Sequence, residues 1–484
     1  MNKLNIFKMI ARHSGLNGLV MIIGALILLG RTATTVGQTV PTSFKFDFGG
    51  GKVAPGYTQV KASELYSKEI GYGFEPGSTI QDVDRGGDPL TGDFVTSESL
   101  FKFSVALPEG NYKVTVILGD VSGVSMTTVK SETRRLMLER IATAKGKFET
   151  RTFLANIRTT TMSPGNKLKL DSREWNAQIG EVCSATWDDK LTLQFSDERP
   201  CLCAIEIAPA DSAITVFIIG DSTVTDQQGD GSGSWGQNMA RWFNLPVVIA
   251  NHAESGQTMK AFRFQHRWEK VMDLIKPGDY VFMQFGHNDS KKSGHDPMWP
   301  ADDKEGDWAI THSDANTDYK WGLATNAVEI MRHGGIPVIV SPMTRLNKAT
   351  GEINSASHGD YPKAAREAAE LAGCAFIDLF SMSIEAMKAL GPSSALAAYA
   401  DGTHTSSYGG YLYSRCVIEG IKKAKLDLAR YLTSDAGVFD PAHPTPLPTD
   451  FKISSDRGGS VPLPSDNGSR SGQQKQPGQQ QTRP

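Results

Sequence analysis

Apolar and polar positions follow two different rhythms along this chain, and the rhythm changes near residue 210. From Ser43 to about Pro209 short segments alternate, as at Phe44, Phe46 and Phe48 in FKFDF, at Phe101–Val105 and at Tyr112–Leu118. Further apolar runs stand at Phe153–Ile157, Leu168–Leu170, Leu191–Phe195 and Ala204–Ile207. A period of two sends successive side chains to opposite faces of a strand. Turn formers separate the runs, including Pro108-Glu109-Gly110-Asn111 and Pro164-Gly165-Asn166, so this half predicts an antiparallel sandwich. From Ala213 to about Leu432 continuous apolar runs alternate with amphipathic stretches. Strands are expected at Val216–Ile219, Val247–Ala250, Tyr280–Phe285, Ile336–Val340 and Phe376–Leu379. Helices are expected near Thr258–Ile275, Asp318–His333, Tyr361–Leu371 and Tyr408–Tyr431. That alternation predicts an α/β fold with a parallel sheet and helices on both faces.

The two ends follow neither rhythm. Lys3, Lys8 and Arg12 precede the apolar stretch Leu19–Leu29, and small and polar residues lead on to Gln38. This order predicts a secretory signal peptide over residues 1–37. A membrane anchor is the alternative, but the apolar stretch is shorter than the roughly 20 residues a spanning helix needs. After Gly437 proline, serine, glycine and glutamine dominate, ending in SGQQKQPGQQQTRP, which predicts a disordered tail. The expected organisation is therefore a signal at 1–37, a β-sandwich at 43–209, an α/β domain at 213–436 and a tail at 437–484. A length of 484 residues suits two folded domains. The composition, 39% hydrophobic and 21% charged, supports real cores. A formal net charge of −3 gives no reason to expect a nucleic-acid partner or a polybasic membrane contact. None of the five cysteines has metal-ligand spacing. Cys183 is a candidate partner for Cys201 or Cys203 in an oxidising compartment, whereas Cys374 and Cys416 lie in apolar patterns that suit buried thiols.

The candidate chemistry gathers where the α/β strands end. The run Val216–Ile219 stops at Gly220-Asp221-Ser222-Thr223. Glycine allows a sharp turn, leaving Ser222 at the carboxyl edge of the sheet, where such folds place ligands. A serine there is a candidate nucleophile, and a helix N-cap is the plainer alternative. The second strand leads to Asn251-His252-Ala253-Glu254-Ser255-Gly256, the third to Gly286-His287-Asn288-Asp289, and Asp401-Gly402-Thr403-His404 precedes the last helix. Ester cleavage through a serine needs a base for its proton and an acid to orient that base. Asp401 and His404 suit that pair, and the oxyanion donors would be the amides of Ser222 and Gly256 with the side-chain amide of Asn288. His252, His287, His295 and Asp360 have no zinc-binding spacing, so neither metal nor cofactor is expected.

GDS at Gly220–Ser222, Gly256, GHND at Gly286–Asp289 and DxxH at Asp401–His404 resemble, in order, the four blocks of the SGNH, or GDSL-like, hydrolases. Their longer forms, GDSTV, FGHND, SPMTR at Ser341–Arg345, FIDL and DGTHT, look like those of rhamnogalacturonan acetylesterases. The resemblance implies a flavodoxin-like sheet, with the catalytic roles falling on Ser222, Asp401 and His404 and the oxyanion roles on Ser222, Gly256 and Asn288. It further implies a secreted esterase that takes acetyl groups off a plant cell-wall polysaccharide. Two departures bear on substrate. Gln257 and Thr258 follow Gly256 where Arg-Ser is common, and a longer stretch with Lys291, Lys292, His295 and Trp299 follows the third block. FDFGGG, Gly71–Phe74 and LPEGNYKVTVILGD resemble the galactose-binding-like jelly rolls joined to carbohydrate esterases. Tyr57, Tyr66, Tyr72, Phe74 and Trp175 could stack on sugars, although core packing is the expectation for most of them. The competing expectations are an SGNH esterase for another ester (acetylxylan, a lipid or a thioester) and a non-catalytic glycan-binding protein.

Overall fold

The computed structural model describes residues 41–171, 174–176, 181–182, 186–229 and 231–453. The segment expected to be a signal, residues 1–37, lies outside them. The described residues from 44 to 209 form two facing sheets, antiparallel throughout except that Thr58–Val60 pairs with Phe44–Phe48 in parallel. One orders the strands Lys147–Ile157, Gly110–Asp120, Cys201–Pro209, Phe44–Phe48 and Thr58–Val60, with Asp93–Thr96 and Gln81–Asp84 joining at one side. The other orders Tyr72–Phe74, Phe101–Ala106, Lys190–Ser196, β1 (Ser125–Ser131) and β2 (Arg135–Thr143). Between them Phe46, Phe48, Phe74, Phe101, Phe103 and Phe195 pack ring on ring.

The expected strands are present, with one exception. Leu168–Leu170 is not a strand; Leu168 packs beside Met162 and Trp187 under a loop. The hairpin β1–β2 was not foreseen, because its buried face is largely serine and threonine (Ser125, Thr127, Thr128, Ser131) rather than apolar. Cys201 and Cys203 are buried free thiols, and their candidate partner Cys183 lies outside the described residues. Of the candidate sugar-stacking aromatics, Phe74 is core and Tyr72 packs on Phe46. Tyr57 and Tyr66 lie under the ammonium groups of Lys45 and Lys190.

The second half is a five-stranded parallel sheet. In chain order its strands are β3 (Ile214–Gly220), β4 (Val247–Asn251), β5 (Tyr280–Gln284), β6 (Ile336–Val340) and β7 (Ala375–Ile377). Their spatial order, β4-β3-β5-β6-β7, is the flavodoxin-like arrangement, whose switch point lies between the first and third strands. Ser222 leaves the sheet at that point. The α-helices longer than one turn among the described residues are α1 (Met259–Phe264), α2 (Arg267–Leu274), α3 (Lys320–Arg332), α4 (Tyr361–Ala372), α5 (Leu379–Ala395) and α6 (Ser407–Lys423). The helix expected over Thr258–Ile275 is two, broken where His266 takes φ 61°. Helix α5 was not expected; Gly391, at φ 73°, and Pro392 interrupt its pattern. No helix among the described residues is long and apolar enough to cross a membrane.

The two halves pack as one compact unit. Leu136 of β2 sits in the same apolar cluster as Trp235 and Met239, and Leu154 packs on Ala213 and Val248. Two buried ion pairs join the halves, Arg135 with Asp226 at 2.7 Å and Arg267 with Glu174. The chain after Gly437 corrects the expected tail, because residues 438–453 pack. Phe439 is buried, Phe451 lies against Tyr408 and Tyr411, and Arg415 Nη1 donates to Thr445 O at 2.7 Å. Two aromatics and a proline-stiffened course supply the apolar surface that the overall composition of the segment hides.

Candidate active site

Strand β3 can approach β5 closely only because residue 220 has no side chain; a Cβ there would stand 2.3 Å from Gln284 O. The backbone then turns, and Asp221 sets the turn from below. Its Oδ1 accepts from Thr223 N–H at 2.9 Å and from Thr223 Oγ1 at 2.7 Å, while its carbonyl accepts from Val224 and Thr225 N–H. Ser222 is left 7% exposed at the carboxyl end of the sheet. His404 Nε2 lies 2.8 Å from Ser222 Oγ, and His404 Nδ1 lies 2.7 Å from Asp401 Oδ2. Asp401 Oδ1 accepts two further bonds of 2.7 Å, from the backbone N–H groups of Thr403 and His404. Burial alone would raise the Asp401 carboxyl. The bonds from His404 and Thr403 outweigh it and hold the group well below the usual carboxylate range, as an anion. Asp401, His404 and Ser222 thus form one hydrogen-bonded chain.

Gly256 and Asn288 stand on the neighbouring turns after β4 and β5. Gly256 has φ +79°, and a Cβ there would fall 2.0 Å from Asp296 Oδ2, so glycine alone fits. Asn288 Nδ2 donates to Gln257 O at 3.1 Å, and its Oδ1 accepts from Lys291 Nζ at 2.9 Å. An ammonium can only donate, so Lys291 fixes the amide with its NH₂ turned away from the lysine. Lys291 also lies over the Trp308 ring, 3.8 Å from the centroid. Burial pushes its ammonium below the ordinary lysine range. Asp289, fully buried, accepts from Met259 and Gly286 N–H and ties the turn after β5 to the start of α1. Burial pushes its carboxyl up to about 7.

The other polar residues singled out are structural. His252 is buried between Trp187 and Phe217, and His287 lies edge-on to His358 at 4.4 Å. Burial drives both His252 and His287 well below the usual histidine range, so they are neutral. His295 meets Pro300 O, and Asp360 accepts from Asn316 Nδ2 at the start of α4. Sequence reasoning met Lys291 only as a departure from the family pattern and Arg345 only as the end of the SPMTR block, and gave neither a contact at the site; Arg345 Nη2 donates to His287 O at 2.8 Å. It also gave no part to Arg134 and Arg135, which a strand-turn-strand reading of Ser125–Thr143 would have placed at a hairpin tip.

Residues 218–410, which hold Ser222, Gly256, Asn288, Asp401 and His404, match the model of the GDSL-like lipase/acylhydrolase family. The chain carries a GDSL-like hydrolase domain. Ahead of it, residues 44–150 match the galactose-binding-like domain of the beta-agarase/YXIM esterase-like group. Among curated proteins, the chain is 25% identical over 398 residues to the uncharacterized esterase YxiM of Bacillus subtilis, covering 79% of this chain and 91% of that one. It is 28% identical over 243 residues to the rhamnogalacturonan acetylesterase RhgT of the same organism, covering 46% of this chain and 96% of RhgT. The crystal structure of B. subtilis YxiM aligns over 80% of this chain and 99% of its own, with 23% identity and a TM-score of 0.40. The GDSL-like domain accounts for the whole hydrogen-bonded chain, and the galactose-binding-like domain is its packed neighbour.

Proposed function

We propose that this protein is a carbohydrate O-acetylesterase that removes acetyl groups from pectin, with rhamnogalacturonan as its substrate. The carrying observation is the chain from Asp401 through His404 to Ser222 Oγ at the sheet's switch point. In this reading Ser222 Oγ attacks the acetyl carbonyl carbon while His404 Nε2 takes its proton. Asp401 holds His404 with Nδ1 protonated and balances the imidazolium that forms. The tetrahedral oxyanion is met by the N–H groups of Ser222 and Gly256 and by Asn288 Nδ2. Collapse breaks the bond to the sugar oxygen, which receives the proton from His404, and leaves an acetyl-Ser222 ester. Water, deprotonated by His404, then releases acetate and restores the serine.

Support for the substrate comes from the likeness to RhgT, named a rhamnogalacturonan acetylesterase, and from the galactose-binding-like domain. Support for action outside the cytoplasm comes from the basic, apolar and small-residue order of residues 1–37. The test is acetate release from acetylated rhamnogalacturonan, acetylated xylan and a long-chain ester, with Ser222→Ala beside the wild type. Release should be fastest from the pectin, and Ser222→Ala should lower it by about 10³-fold or more. Preference for xylan or the long-chain ester would overturn the substrate, and an active Ser222→Ala would overturn the mechanism.

A further inference from the structure

The galactose-binding-like domain reaches the reacting groups of its neighbour through one hairpin tip, and we propose that Arg134 on that tip is a positioning residue for the esterase reaction. The inference rests on the roles given above to Ser222 and His404. Between β1 and β2 the chain turns over Glu132-Thr133-Arg134, with Glu132 at φ 54° and Arg134 at φ 62°. Non-glycine residues avoid this left-handed region, at a cost of about 1 kcal/mol or more each. The surroundings hold them there. Glu132 N–H donates to Thr192 O at 2.8 Å, Glu132 Oε1 accepts from Thr192 N–H at 3.2 Å, and Thr133 Oγ1 meets Thr186 Oγ1 at 2.7 Å.

From this tip Arg134 Nη1 donates to three carbonyls of the loop that follows the nucleophile, Gln227 O at 3.2 Å, Gly229 O at 2.6 Å and Ser232 O at 3.2 Å. Its Nη2 lies 3.4 Å from Ser407 Oγ, three residues past His404. One guanidinium therefore spans the loop that carries Ser222 and the segment that carries His404. The loops also touch each other directly, since Gly233 N–H donates to Thr405 O at 2.9 Å and Thr405 Oγ1 to Gly233 O at 2.7 Å. The connection runs back to the nucleophile through Gln227, whose Nε2 donates to Ser222 O. Gln237 Nε2 closes the arrangement by donating to both Thr133 O and Gln227 O at 3.0 Å.

Without Arg134 the three carbonyls still find water, so folding should survive. What goes is the shared cation that holds Gln227, Gly229 and Ser232 against the His404 segment. A misplacement of about 1 Å between reacting groups can cost as much as a hundredfold in rate. The hairpin thus makes the first domain part of the catalytic apparatus of the second, by geometry and without touching substrate.

The experiment uses the full chain and a fluorophosphonate that titrates the active serine. Wild type and Ser222→Ala come first, because a wild type that is not labelled, or a Ser222→Ala that is, would show that the reading of Ser222 had failed and not this inference. Arg134→Ala is expected to keep one labelled serine per chain while the labelling rate and kcat on 4-nitrophenyl acetate fall by about tenfold to a hundredfold. KM should stay within about twofold. Arg134→Lys, which keeps a single cation in reach, should recover part of the rate. A loss of label per chain at an unchanged labelling rate would mean a purely structural role and overturn the proposal, as would wild-type rates in Arg134→Ala. If Arg134→Ala does not fold, Arg134→Lys decides alone: an intermediate labelling rate at full label supports the proposal, and the wild-type rate overturns it.

Discussion

Asp47 shows how a single residue can set a pH dependence far from any chemistry. It is 2% exposed on the strand Phe44–Phe48, and its Oδ2 accepts from Ala54 N–H at 2.7 Å. Burial pushes its carboxyl up to about 6 against that hydrogen bond, and Asp93 and Asp88 add to the rise. The native state therefore holds a proton that the unfolded chain releases near its ordinary value of 3.8. Stability from this group is complete below 3.8, declines as pH rises towards about 6, and stays lost above it. Asp47→Asn keeps an acceptor for Ala54 and cannot ionise. Its melting temperature relative to wild type should accordingly be several degrees more favourable at about pH 8 than at about pH 4. A difference that does not change with pH would contradict the assignment. At the same scale Gly220 and Gly256 are dictated by contact, since a side chain at either would meet Gln284 O or Asp296 Oδ2.

At the scale of elements, regular alternation read well and polar burial did not. The five parallel strands follow from apolar runs that only a doubly covered sheet can bury. The β1–β2 hairpin carries hydroxyls that are met across the hairpin itself, as Ser125 by Thr143, or by loop residues far along the chain, as Thr128 by Asp197 and Thr133 by Thr186, so its sequence does not separate it from a loop. The segment after Gly437 is the reverse case, polar overall yet pinned by a few large contacts. Phe439 lies beside the Arg415 guanidinium, 4.8 Å from ring centroid to carbon, and Tyr408 Oη donates to Pro446 O at 3.0 Å. Losing the buried Phe439 and the half-buried Phe451 costs about 3 kcal/mol or more. A chain ending at Gly437 should melt several degrees below one ending at Ile453, and equal melting curves would show that the segment does not contribute.

Over the whole molecule, the contact between the domains governs what either can do alone. Arg135 and Asp226 are 2% and 1% exposed in their side chains, and Asp226 also accepts from Asn251 Nδ2 at 2.8 Å at the end of β4. Taking away one member of a buried pair typically costs about 3–5 kcal/mol, because the remaining charge is left without compensation. An isolated segment 213–453 would leave both Asp226 and Arg267 in that position. It would also uncover the cluster that holds Leu136. That segment should be less stable and lose activity equally on a small acetyl ester and on polymeric pectin. A loss confined to the polymer would instead assign the first domain to substrate capture.

The order of apolar runs determined the fold class, and the short blocks marked Ser222, Asp401 and His404, which the structure joins by hydrogen bonds, since both are local properties of the chain. A strand must end where its apolar run ends, and a parallel sheet brings all its carboxyl ends to one edge. The 2.8 Å contact of His404 with Ser222 across 182 positions, the packing of residues 438–453, the free thiols at Cys201 and Cys203 and the grip of Arg134 on the carbonyls of Gln227, Gly229 and Ser232 were decided by the tertiary structure. Each depends on which surfaces meet after the elements form, and hydroxyls, guanidinium groups and thiols carry no periodic signal of the partner that will satisfy them.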